Sequence, residues 1–267
     1  MRKNLFKTIL WSLLVSSLFV ACKKDSTATT DQNAISDEVL GKIKSLGFSN
    51  KNVSKHEEGY LVEGDIVITD EQLGTSPEAK LLQVAGEEQY HTFNLVTGLP
   101  RNITVRVASS LPSRYVTALN TAISRYNNEN LRITFSRVTS GGNIVIRSAP
   151  AGAGYLASAG FPTSGGSPYN SVLVNRSYLD TWDINTVASI LANEIGHCIR
   201  FRHTDYMSRQ YSCGGSPVNE GASTVGAVYI PGTPTGPDPN SWMLACIGNG
   251  VNRPFNSNDR VALNYLY

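Results

Sequence analysis

Residues 193–203 read Asn-Glu-Ile-Gly-His-Cys-Ile-Arg-Phe-Arg-His, and no other segment constrains the fold as much. Val187, Leu191, Ile195 and Cys198 recur at spacings of 4, 4 and 3, the stripe of a helix that faces a core. A helix is therefore expected from about Asn185 to Ile199. Asn193 and His197 lie four residues apart on it, so they share a face roughly opposite Ile195. The fold must bury one side of this helix and leave a polar pair on the other.

That pair belongs to a larger set. His197 and His203 are two nitrogen donors, and Glu194 is a carboxylate beside them. Hydrolytic zinc sites use two ligands one turn apart, a third from beyond the helix, and a carboxylate next to the attacking water. Glu194 is placed to take the proton from that water. Asn193 breaks the set, because a neutral amide oxygen is a poor zinc donor beside imidazole or carboxylate.

The segment is the pattern H-E-x-x-H-x-x-G-x-x-H with Asn193 for the first histidine and Arg200 for the glycine. It resembles the site segment of metzincin metallopeptidases. More narrowly, Glu194-Ile195-Gly196-His197 and Phe201-Arg202-His203-Thr204-Asp205 are similar to the bacterial M57, or HEIGH, family. Ser241-Trp242-Met243 matches the methionine turn of metzincins, and the closing Asp259–Tyr267 segment resembles their C-terminal helix. The resemblance covers roughly residues 100–267. It implies an α/β (α+β) zincin-like domain with a mixed sheet, an active-site helix and a Met-turn at Met243. It also implies one zinc ion on His197 and His203, with Asn193 at the remaining ligand position, Glu194 as base, and a peptide or protein as substrate. A second reading stays open: a catalytically inactive relative that binds peptides or proteins in the cell envelope. A third is an envelope protein that holds another metal through His197 and His203.

In the parent pattern the residue at 200 leaves the helix in a left-handed conformation. Arg200 there must bear a cost of about 1–2 kcal/mol, or the turn must shift and move His203.

Around this segment the chain alternates strands and helices. Strands are expected at 103–107, 131–135, 143–147 and 171–175, with a helix at 113–127 carrying Val116, Leu119, Ala122 and Ile123 on one stripe. Residues 148–169 and 206–250, rich in Gly and Pro, are expected as loops. A last helix is expected from Asp259, capped by Ser257 or Asn258. These elements make a domain at 96–267.

Residues 37–95 are expected as a small N-terminal, prosegment-like unit, with short helices near 37–48 and 70–83. Within it Val62-Glu63-Gly64-Asp65 resembles the aromatic-x-Gly-Asp prosegment motif of astacin-type metzincins. That resemblance makes Asp65 a zinc-capping residue. The plainer alternative is a strand turn with Gly64 at the bend and Asp65 exposed.

Residues 1–22 carry Arg2, Lys3 and Lys7, then a mostly apolar run that ends Phe19-Val20-Ala21-Cys22. This resembles a bacterial lipoprotein signal with Cys22 lipidated, followed by a polar linker at 23–36. It implies a lipid-anchored protein of the bacterial cell envelope, held to a membrane through the lipid. The formal charge of +2 becomes −1 once those three leader cations are set aside, 20 basic against 21 acidic residues. No basic patch argues for nucleic acid. In an oxidising compartment Cys198, Cys213 and Cys246 allow three single pairings. Cys213–Cys246 is favoured, because Cys198 sits within the site helix.

Overall fold

The computed structural model describes residues 35–74, 90–91, 94–217, 219, 228–234 and 237–267. The leader, Cys22 and most of the 23–36 linker lie outside the described residues, as does most of the helix expected near 70–83. No helix among the described residues is long and apolar enough to cross a membrane.

The elements are, in order, α1 (Asp37–Ser45), β1 (Ser54–His56), β2 (Gly59–Val62), β3 (Ile66–Thr69), α2 (Asp70–Leu73) and β4 (Tyr90–His91). Next come β5 (Arg101–Val107), α3 (Ser113–Asn127), β6 (Ile133–Val138), β7 (Ile144–Ser148), β8 (Ala157–Gly160) and β9 (Ser171–Val174). The rest are α4 (Arg176–Leu179), α5 (Ile184–Cys198), α6 (Gln210–Cys213), β10 (Val228–Tyr229) and α7 (Ser257–Leu266). The fold is mixed α+β. Eight strands form one sheet in the order β1-β2-β3-β8-β9-β7-β5-β6, and β10 pairs with β4 apart from it.

The half from β9 to β6 is parallel, whereas β8 runs antiparallel to β9 and parallel to β3. Ile35 to Tyr267 makes one compact unit. The residues expected as a small N-terminal unit thus carry three strands of the main sheet. Their side chains Ile43, Phe48, Val62, Ile66, Ile68 and Leu73 bury a second, smaller core against Phe161.

Helices α3 and α5 pack on each other, and α5 also lies on β8 and β9. The one-sided apolar stripe expected of α5 is replaced by burial all round, from Thr186 through Cys198. The physical reason is that the polar face meets further protein: the segment around Trp242 and the β2–β3 turn. Asp183 caps the helix, its carboxylate accepting from Asn185 N at 2.8 Å and Thr186 N at 3.1 Å.

Two local expectations are corrected. Residues 148–169 contain β8, a strand of Ala, Ser and Gly that lacks any β-branched signal. Gly160 is required there, since a Cβ would lie 2.9 Å from Val67 O and 2.8 Å from the Tyr169 ring. The cap of α7 is Asn256, in a capping box with Asp259, one residue ahead of the earlier of the two caps expected.

Candidate metal centre

The centre is built on the C-terminal turn of α5. The chain leaves that helix through a Schellman turn: Phe201 N donates to Gly196 O and Arg200 N to His197 O, each at 2.8 Å. Arg200 sits at φ 112, a conformation that favours glycine, so the arginine bears the strain and the turn keeps its place. The turn also aims Phe201 O at the His197 ring, 2.8 Å from Nδ1. With Nδ1–H donating to that carbonyl, the lone pair of Nε2 faces the site.

His203 follows the turn. Its ring meets that of His197 edge-on, with centroids 4.9 Å apart. Both histidines are fully buried. His203 Nε2 lies 3.2 Å from Asp65 Oδ2. Ligand-type atoms of Asp65, His197 and His203 lie within 4.8 Å of one another, close enough to share one ion. His197 Nε2 and Glu194 Oε2 are buried with no hydrogen-bond partner among the described residues. Orphaned buried acceptors of this kind are costly unless something binds them. The donor set, two imidazoles with a carboxylate, suits zinc.

Charge within the pocket follows from burial. Burial, helped by the nearby His203, lowers the His197 pKa to about 3. Burial, and then the negative charge of Asp65, raise Glu194 well above the usual carboxylate range, with His203 opposing. For Asp65 burial also pushes upward, but His203, His197 and Arg209 together outweigh it and hold the carboxyl low.

Asn193 is buried on the same face, and its Nδ2 donates to Trp242 O at 2.9 Å. The amide nitrogen is thus spent on the backbone of the 241–243 turn. That turn lies directly under the helix. A Cβ at Gly196 would lie 2.6 Å from Met243 Sδ, so only glycine lets Met243 come so close. Asp259 pins the turn from α7: its carboxylate accepts from Ser241 Oγ at 2.8 Å and Trp242 N at 3.3 Å. The Trp242 ring nitrogen donates to Tyr126 OH at 3.2 Å and Ala192 O at 3.3 Å.

Beyond His203, Thr204 N donates to Met243 O at 2.9 Å and Asp205 Oδ1 accepts from Ala245 N at 3.0 Å. Cys213 and Cys246 form a disulfide at the far end of this seam, and Cys198 is free and buried. His56 lies in β1, where its ring faces Tyr155 at 6.5 Å, and is not among the clustered ligand-type side chains.

Asp65 reaches the centre on the loop between β2 and β3, where Glu63 (φ 53) and Gly64 (φ 89) turn the chain sharply. Sequence reading missed what holds that loop. The Glu63 carboxylate takes two bonds from Arg202 Nη2, at 2.7 and 2.6 Å, with both side chains fully buried. Arg202 also donates to Gly47 O at 3.1 Å and lies 4.3 Å over the Phe48 ring. No local pattern signals a pair 139 residues apart.

A cleft lined by Tyr155, Ile190, Asn193, Glu194, Trp242 and Arg253 opens beside the centre. Glu194 forms part of its wall.

A family model described as dual-action HEIGH metallo-peptidase matches residues 60–267. Two solved structures of myroilysin are similar in part. One has a TM-score of 0.40 and 15% identity, covering 61% of this chain and 78% of that one. The other has a TM-score of 0.40 and 13% identity, covering 61% and 82%. No curated protein matches the chain.

Proposed function

We propose, for a chain that belongs to the dual-action HEIGH metallopeptidase family, a zinc-dependent endopeptidase whose centre has lost the imidazole at position 193. The observation that carries this reading is that His197 Nε2 and Glu194 Oε2 are both buried without a hydrogen-bond partner among the described residues. His197 and His203 would hold the ion, which when bound polarises a carbonyl and makes water a better nucleophile. Glu194 would accept the proton of the attacking water and return it to the leaving amine. Arg200 supports the reading by keeping the turn that presents His203.

One observation favours the second reading, an inactive peptide-binding relative: Asn193 is tied to Trp242 O and offers no imidazole. The two separate on one comparison. Zinc-loaded protein is incubated with casein, alongside its Glu194→Gln variant. The enzyme reading requires cleavage by the parent, loss of cleavage in the variant, and equal zinc in both. Retained peptide binding without cleavage by the parent would leave the binding protein. The leader supports a place in the bacterial cell envelope, anchored through lipid on Cys22.

A further inference from the structure

We propose that Asp65 is a resident metal ligand that takes the place Asn193 leaves without an imidazole, so that Asp65, His197 and His203 together hold the ion. The proposal rests on the metal-centre reading above and changes its ligand set. A carboxylate is a competent zinc ligand, and two histidines with one carboxylate form a known three-ligand set for catalytic zinc. Asp65 is the carboxylate whose oxygen already lies with both imidazoles inside a 4.8 Å cluster.

A capping residue on a removable segment needs a loop that can depart. This loop is fastened at every point. Arg202, which grips the Glu63 carboxylate, is the residue next to His203, so ligand and loop share one support. Arg209 Nη1 donates to Glu63 O. Its guanidinium lies so close over Gly64 that a Cβ there would stand 2.7 Å away. On the other side, β3 is hydrogen-bonded to β8 through Ile66↔Ala159 and Val67↔Gly160. Pulling Asp65 out means breaking a fully buried ion pair and stripping β1–β3 from the sheet. Asp65 therefore shares the support of His203 through Arg202, and residues 54–69 stay with the working protein. Glu194 is left out of the ligand set and free for proton transfer.

The test uses the full chain and zinc alone, with affinity read by competition against a chelator dye and geometry by the absorption of the cobalt-substituted protein. Four variants are compared: Asp65→Ala, Asp65→Asn, Asn193→His, and Asp65→Ala with Asn193→His. Asp65→Ala is expected to weaken zinc by more than about 100-fold, beyond the 10–100-fold typical of changes outside the ligand shell. Asp65→Asn, which keeps the shape of the loop, is expected to weaken it as well and so separates ligand loss from misfolding. Adding Asn193→His to Asp65→Ala is expected to restore affinity, because an imidazole returns to the vacated place. Wild-type affinity in both Asp65 variants overturns the proposal while leaving the metal centre standing. Failure of the folded double variant to recover overturns the exchange of one ligand for the other. No zinc on the wild-type chain overturns the metal centre itself and this proposal with it.

Discussion

Glu63→Gln isolates the contact that seats the β2–β3 loop over the centre. The Glu63 and Arg202 side chains are both 0% exposed, and the two bonds between them are 2.6 and 2.7 Å long. Removing one partner of a buried pair costs about 3–5 kcal/mol, because the other charge stays desolvated. Glutamine keeps one oxygen, which can still accept from Arg202 and from Ser49 N, the donor to Glu63 Oε1 at 3.1 Å, but its NH2 cannot accept where Glu63 Oε2 did. With part of the bonding kept, about 3 kcal/mol is expected. For a domain of 150–250 residues, 1 kcal/mol moves Tm by roughly 2–4 °C. The variant should therefore melt about 6–12 °C below wild type. Thermal melts followed by circular dichroism measure this, with chelator present so that metal binding adds nothing to either protein. Glu63→Gln with Arg202→Met should lose less than the two single changes added, since no charge is then left buried alone. A Tm within about 1 °C of wild type for Glu63→Gln would refute the seat, because it falls below any loss the buried pair allows.

Three further changes probe the frame around the centre. Gly196→Ala forces Met243 Sδ away from a 2.6 Å approach and should cost about 1–3 kcal/mol, read as a lower urea midpoint; an unmoved midpoint would mean that Met243 does not pack there. Replacing Cys213 and Cys246 with serine opens a link across 33 residues and should cost roughly 3–4 kcal/mol on the chain-entropy model. Equal melts of oxidised and reduced wild type would contradict it. Arg200→Gly removes about 1–3 kcal/mol of strain at φ 112 but adds about 0.5–1 kcal/mol of unfolded-chain entropy. A net gain in stability is expected, and a loss in melts of the variant would place more value on the arginine side chain than on its strain.

The scaffold of the centre was legible because its signals are local. The period of Val187, Leu191, Ile195 and Cys198 announces α5, and the position of Arg200 announces a left-handed exit, found at φ 112. Strand β8 was not legible: Ala157–Gly160 has small residues only, and it is a strand because β3 and β9 supply partners on both sides. Burial of the polar face of α5 was also hidden. It depends on Trp242 and the Asp65 loop, elements distant in sequence whose contacts with Asn193 and with His203 beyond the helix no periodicity of α5 announces. The Glu63–Arg202 pair is of the same kind, each residue unremarkable in its own segment.

Zinc content per chain, measured by elemental analysis after gel filtration of zinc-loaded protein, decides whether these buried groups form a metal centre. Wild type should carry about one zinc per chain and His197→Ala essentially none, since that change removes the Nε2 left without a partner among the described residues. A wild-type chain free of zinc, or equal zinc in both proteins, would contradict a centre built on His197.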